Sequence, residues 1–288
     1  MSSLSKHGSG GGIRLLVHDI DGCLNPPDGE DFGPGDSGGL SENQSKQLGR
    51  LKACLEAMNV QLVLNTGRNL EDSMAMAEGL VGNCCRYGLF EHGAYGWDFK
   101  KDQEIDLHQL SLEQGDSDRA RKYEEMAVIP RLIEWYREKG RHRLSERLGV
   151  EPPPLRKRSN LSLECVQGLK APHLMKNLME VVEEGFKEKG DEPLVYCHSD
   201  HFVDVLGTVH KSDGAQLLCR QLGFSGEEVL VVGDGMNDMD MFSQWPNLLC
   251  PSNAFGDLKE LCRRRGGVVS DQPYVEATLA FLRSGQFS

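Results

Sequence analysis

The chain has 288 residues, 39 % hydrophobic and 26 % charged, which is the composition of a folded protein rather than a disordered one. That length allows one large domain or two modest ones, each able to bury a core. With 32 Lys and Arg against 44 Asp and Glu the net charge is −12, which disfavours nonspecific binding to nucleic acid or an anionic membrane surface but leaves room for a local anion site.

No apolar run reaches the ~20 residues of a membrane span. Residues 1–12 (MSSLSKHGSGGG) hold no apolar signal segment and are expected to form a flexible tail. The nine cysteines are odd in number, irregularly spaced and without a CxxC, which points to a reducing cytoplasm rather than a disulfide framework.

From Ile13 to Val17 the chain is largely apolar and runs into HDIDGCL, as a buried parallel strand runs into a loop. Residues 25–40 are rich in Gly, Pro and Asp, predicting a long loop. Ser41 and Gln44 fit a capping box opening a helix with Leu48, Leu51 and Leu55 on one face. VQLVLNTGRN reads as a second buried strand ending in a polar turn, NLEDSMAMAEGL as a helix and CCRYGLFEHGA as a third strand. That alternation predicts a parallel α/β sheet.

Residues 97–117 show no clear pattern. Residues 118–148 carry a helical apolar stripe from Tyr123 to Tyr136, broken by Pro152, Pro153 and Pro154. LSLECV, LVYCHSD and HFVDVL read as short strands around a helix at 171–189, an α+β pattern. The α/β rhythm then returns: KSDGAQLLCRQLGF is a helix, EEVLVVGDGMNDMDMF a strand, polar turn and helix start, and NLLCP and GGVVS are short strands. The expected organisation is a discontinuous α/β core at 13–94 and 209–288 carrying an inserted α+β cap at 95–208.

In an open parallel sheet the turns at the carboxyl ends of the strands share one edge, where ligands bind. Three such turns carry Asp19 and Asp21, then Asn65, Thr66, Gly67 and Arg68, then Asp234, Asn237 and Asp238; Lys211 opens the helix before the third. Clustered carboxylates repel unless a hard cation sits among them, and Mg²⁺ suits such oxygens. One carboxylate can then attack phosphorus while another, two residues on, acts as acid and base. The hydroxyl and N–H of Thr66-Gly67 and the Lys211 ammonium can hold the equatorial phosphoryl oxygens.

HDIDGCL, NTGRN, the Lys of VHKSDG, and VVGDGMNDMDMF resemble, in order, the four motifs of the haloacid dehalogenase superfamily of phosphohydrolases. FEHGAYGWD resembles the stretch by which the type-two-cap branch leaves its core. That branch includes Cof-like, sucrose-phosphate and phosphomannomutase-like enzymes. The resemblance implies a Rossmann-like core with Asp19 as nucleophile and Asp21 as acid/base, the latter reaching the metal through its backbone carbonyl. It implies phosphate binding by Thr66, Gly67, Lys211 and Asn237, and Mg²⁺ held by Asp19, Asp21, Asp234 and Asp238. His18 stands where an apolar residue is usual and Cys23 where Thr or Val is common.

The implied function is Mg²⁺-dependent hydrolysis of a phosphomonoester through an aspartyl phosphate, on a small phosphorylated metabolite, with a sugar phosphate favoured. A phosphomutase and a non-catalytic phosphate-binding regulator are the alternatives. Neither nucleic acid nor membrane is an expected partner, and oligomeric state is open. Lys170 rivals Lys211 as the phosphate-binding lysine, and Thr66 could also cap a helix. In LRKRSNLSLECV, strand alternation puts Lys157, Ser159 and Leu161 on one face and Arg158, Asn160 and Ser162 on the other. Arg158 and Asn160 are therefore candidates to read the leaving group, against a solvated strand edge. His198, His201 and His210 lack the ligand spacing of a zinc site, and Met236, Met239 and Met241 are expected to pack beneath the third turn.

Overall fold

The computed structural model describes residues 12–25, 41–77, 79–152, 155, 157–165, 169–186, 194–198 and 202–285. The expected tail and the Gly/Pro loop lie outside the described residues except for Gly12 and Asn25.

Five strands come first: β1 (Leu15–His18), β2 (Gln61–Asn65), β3 (Cys85–Phe90), β4 (Tyr95–Asp98) and β5 (Gln103–Ile105). A second group is β6 (Leu161–Glu164), β7 (Val195–His198) and β8 (Phe202–Leu206), and a third is β9 (Val229–Val232), β10 (Asn247–Cys250) and β11 (Val268–Val269). The first and third groups make one sheet in the order β11-β10-β9-β1-β2-β3-β4-β5. It is parallel from β11 to β3 and antiparallel beyond. β1 lies at its centre, with His18 level with Leu64 of β2 and Val232 of β9, so the three reactive turns leave side by side.

The early helices are α1 (Glu42–Met58), α2 (Leu70–Met76), α3 (Leu107–Glu113), α4 (Ser117–Glu125), α5 (Val128–Trp135), α6 (Arg141–Leu148) and α7 (Ala171–Gly185). The later ones are α8 (Lys211–Gln221), α9 (Met239–Gln244), α10 (Gly256–Arg264) and α11 (Tyr274–Arg283). Ser41 caps α1 through the expected box with Gln44. Leu48, Leu51 and Leu55 of α1 and Val275 and Leu279 of α11 pack on one face of the sheet with Leu16, Leu62 and Leu230. On the other face Leu217, Met241, Phe242 and Leu258 pack with Leu15, Val17 and Val231. Alternate residues of the central strands therefore serve two cores, which is why these strands read as continuous apolar runs.

The stretch 95–125, expected inside the insertion, belongs to the large sheet's layers. β4 pairs with β3, β5 with β4, and Leu107, Leu110 and Tyr123 join the cluster of Leu15 and Val17. A separate cluster starts at Val128 and runs through Leu132, Leu144, Leu174, Leu178 and Val182 to Val203 and Val205. It lies between α5, α6 and α7 and a fully antiparallel sheet in the order β6-β8-β7. α5 and α6 are joined by a π-helical turn at Tyr136–Gly140.

Candidate active site

β1 ends in Asp19, which is buried together with its carboxylate. One oxygen accepts the Ile20 N–H at 2.7 Å, and the other lies 2.8 Å from Lys211 Nζ. Lys211 opens α8 and spans the gap to Asp238, again at 2.8 Å. Against burial, which lowers it, the charges of Asp19 and Asp238 hold the Lys211 ammonium protonated. The second oxygen of Asp238 accepts the backbone N–H groups of Asp234 and Gly235 at 3.1 and 3.0 Å. Asp238 is thus a buried carboxylate with both oxygens engaged: it ties the turn after β9 to Lys211.

Carboxylate oxygens of Asp19, Asp234 and Asp238 lie within 4.8 Å of one another. Burial pushes Asp19 and Asp234 above the usual carboxylate range, and mutual repulsion adds to it. An all-oxygen, self-repelling cluster fits a hard divalent cation. Asp19 and Asp234 would hold it best, because the Asp238 carboxylate is already committed to its own turn and to Lys211. Gly22 makes the approach of Asp234 feasible. Its φ is +67°, and a Cβ there would sit 1.9 Å from Asp234 Oδ2.

Asp21, expected to reach a metal through its backbone carbonyl, turns its side chain to Arg68. Its side chain is 39 % exposed and its carboxylate is forked by Arg68, with Nε at 2.9 and 2.8 Å and Nη2 at 2.6 Å. The Asp21 carboxylate is thus paired with Arg68 on the edge of the site. Sequence alone gave no sign of this partner, because no spacing rule links positions 21 and 68.

Thr66 is buried, and its hydroxyl accepts the Arg68 N–H at 3.2 Å; the helix cap of α2 is Asn69. Gly67 is covered by the His92 imidazole, which a Cβ would meet at 2.6 Å. Asn237 is half-buried in a 3₁₀ turn at Met236–Asp238. Lys170 is exposed at the start of α7. Met241 is buried and Met239 partly so, but Met236 is exposed, since the 3₁₀ turn points it outward. Among the described residues the metal-ligand cluster is this carboxylate group; His201 lies outside them. The nine cysteines are free thiols.

His18 is buried beside the Asp19 peptide. Its Nδ1 lies 2.6 Å from the Asp19 carbonyl and its Nε2 2.8 Å from Thr278 Oγ1. A carbonyl can only accept, so Nδ1 carries the proton and Nε2 accepts from the threonine. Burial lowers the imidazole to about 4, keeping it neutral.

The expected strand through Lys157 and Arg158 does not form. β6 starts at Leu161, because the N–H groups of Arg158 and Ser159 are bonded to the Glu91 carboxylate, at 3.1 and 2.5 Å, instead of to a ladder. The Arg158 guanidinium turns away from the carboxylate cluster, pairing with Glu104 at 2.8 Å and lying 3.8 Å over the Tyr95 ring. It borders a cleft of about 610 Å³ beside β5 and α4, away from Asp19. Lys157, expected beside Leu161, bonds Asp204 at 2.9 Å, and Asn160 is buried.

A family model for haloacid dehalogenase-like hydrolases matches residues 156–270, a stretch that holds Lys211 and the Asp234 turn but not Asp19. A phosphoglycolate phosphatase of Methanopyrus kandleri is 29 % identical over 173 residues, 56 % of this chain. Over that match the chain spans 65 % of the relative's length. A Thermoplasma acidophilum protein of known structure superposes with a TM-score of 0.60 at 17 % identity, covering 96 % of this chain and 100 % of its own. The Synechocystis sucrose-phosphatase, solved with sucrose and phosphate, gives 0.58 at 18 % identity, covering 94 % and 96 %. Residues 156–270 are thus similar to haloacid dehalogenase-like hydrolases, and the fold is that of the two solved structures.

Proposed function

We propose that the protein is a Mg²⁺-dependent phosphomonoester hydrolase acting through an aspartyl phosphate at Asp19 on a small phosphorylated metabolite, with a sugar phosphate favoured. The observation that carries this reading is the buried Asp19 carboxylate, fixed at 2.7 Å by the Ile20 N–H and at 2.8 Å by Lys211, beside Asp234. A bound Mg²⁺ would neutralise the cluster and polarise the phosphoryl group. Asp19 attacks phosphorus, and the bond to the leaving oxygen breaks. Asp21 gives that oxygen a proton, then takes one from the water that splits the aspartyl phosphate, releasing phosphate and restoring Asp19. Lys211 and the Thr66-Gly67 backbone supply positive ends for the charge spread over the equatorial oxygens. The fork from Arg68 holds the Asp21 carboxylate in one orientation.

We assign the role of cap to the module built on the Val128–Val205 cluster, which covers Gly67 through His92 and Asp204. Release of inorganic phosphate from an aryl phosphate, with Mg²⁺ and after chelation, tests the chemistry. A panel of sugar phosphates and phosphoglycolate tests the substrate. Release that needs Mg²⁺ and fails in Asp19→Asn is expected. Mg²⁺-independent release, or none, would overturn the reading.

A further inference from the structure

Resting on that hydrolase reading, we propose that His92, Lys157 and Asp204 form a leaving-group site that selects neutral, hydroxyl-rich groups over acidic ones.

In the antiparallel sheet Ser162 is level with Asp204, and Asp204 with Cys197, so the three share one face. The other face, with Leu161, Leu163, Val203 and Val205, is buried against the cap helices. The polar face meets the phosphate loop through His92. The His92 ring lies against Gly67, the His92 backbone N–H donates to the Thr66 carbonyl at 3.0 Å, and the ring Nε2 stands 3.7 Å from Asp204 Oδ2. That separation is too long for a hydrogen bond. Lys157 lies on the far side of Asp204, at 2.9 Å. A group attached to a phosphoryl held at Thr66-Gly67 would therefore reach His92 first and the Lys157–Asp204 pair next.

The chemistry of this face is set by what lacks a partner. His92 Nε2, both amide atoms of Asn160 and Ser162 Oγ are buried without a hydrogen bond. Such atoms are uncommon in folded proteins and call for a ligand or water. Among them are donors and acceptors, and hydroxyls can answer both. Charge decides the rest. Burial lowers the His92 imidazole, so it is neutral, and Lys157 and Asp204 cancel each other. A carboxylate on the leaving group would find no uncompensated cation here and would lie beside the Asp204 anion. A polyol pays no such repulsion.

The test uses the full chain with Mg²⁺ and compares kcat/KM for a hexose phosphate with that for phosphoglycolate, whose leaving group bears a carboxylate. The wild type should favour the hexose phosphate by tenfold or more. Asp204→Asn uncovers Lys157 and should move the ratio at least tenfold toward phosphoglycolate. Lys157→Gln leaves the anion and should move it the other way. A merely structural pair would lower both substrates together, so shifts of opposite sign are the signature. If Asp204→Asn fails to fold, Lys157→Gln and Ser162→Ala still decide: Ser162→Ala should raise KM for the hexose phosphate by threefold or more, with little change in kcat. A ratio unmoved by all three variants, or a wild-type preference for phosphoglycolate, would overturn this inference alone. No hydrolysis of either ester or of an aryl phosphate would overturn the hydrolase reading and this one with it.

Discussion

Lys211 holds two carboxylates with one ammonium, and the two neighbours answer to different tasks. Asp19, the proposed nucleophile, rests on the Lys211 ammonium, while Asp238 spends its second oxygen on the Asp234 and Gly235 amides. Asp19→Asn removes the nucleophile at constant size, and kcat should fall by ~10³ or more, as for loss of a central catalytic group. A variant keeping a tenth of its turnover would place the nucleophile elsewhere. Asp234→Asn and Lys211→Ala should part company under added metal. The Asp234 carboxylate has no charged partner within its turn, so its loss weakens cation binding and excess Mg²⁺ should restore part of the rate. Lys211→Ala leaves Asp19 and Asp238 facing each other without the ammonium, a defect in phosphoryl binding that more metal does not mend. Mg²⁺ titrations of both variants read this directly, and identical responses would dissolve the assigned roles.

At the scale of elements, what could be read in the sequence was whatever depends on local spacing. The Ser41–Gln44 box and the Leu48, Leu51 and Leu55 face are visible within one helix. The three reactive turns are visible because each follows a buried run of strand. Long-range polar partners were not: Arg68 on Asp21, Glu91 on the Arg158 and Ser159 amides, and His92 on Gly67 are joined by the fold alone. The alternation expected through 157–162 failed for that reason, since Glu91 takes the amides a strand partner would need. β4 and β5 were missed because they are only four and three residues long, at the antiparallel end of the sheet. The cap sheet also makes a pH prediction. Burial raises Asp204, but Lys157 and His92 outweigh it and hold the carboxyl well below the usual carboxylate range. A carboxyl lowered by folding stabilises above its unfolded value, and that contribution drains away as pH falls through and below it. The thermal midpoint of the wild type should therefore exceed that of Asp204→Asn at neutral pH, and the gap should narrow below about pH 4. A gap that stays constant to the acid limit would show that the Lys157 pair adds nothing through ionisation.

At the scale of the whole molecule, the apolar clusters divide the chain more sharply than the sequence did. Those flanking the large sheet share no residue with the one that holds Leu132, Leu178 and Val205. What joins the two modules includes polar links: Glu91 to the Arg158 and Ser159 amides, Arg158 to Glu104, and His92 toward Asp204. Only the Arg158–Glu104 pair among them is well exposed, and a few polar links contribute little beside the two separate apolar cores. A cavity opened in one module should therefore be felt mainly there. Leu178 is fully buried in α7, amid the cap cluster. Leu178→Ala should cost about 2–5 kcal/mol, the usual range for such a truncation. Because separate cores open as separate cooperative units, the loss should appear as faster amide exchange in α5, α7 and β6–β8. The amides of β1, β2 and β9 should exchange at wild-type rates, and aryl phosphate turnover should survive at temperatures where the cap has begun to open. Hydrogen exchange followed by mass spectrometry resolves the two regions. Equal acceleration in the strands around Asp19 would mean that the protein opens as one unit and that the polar seam couples the modules as firmly as a shared core.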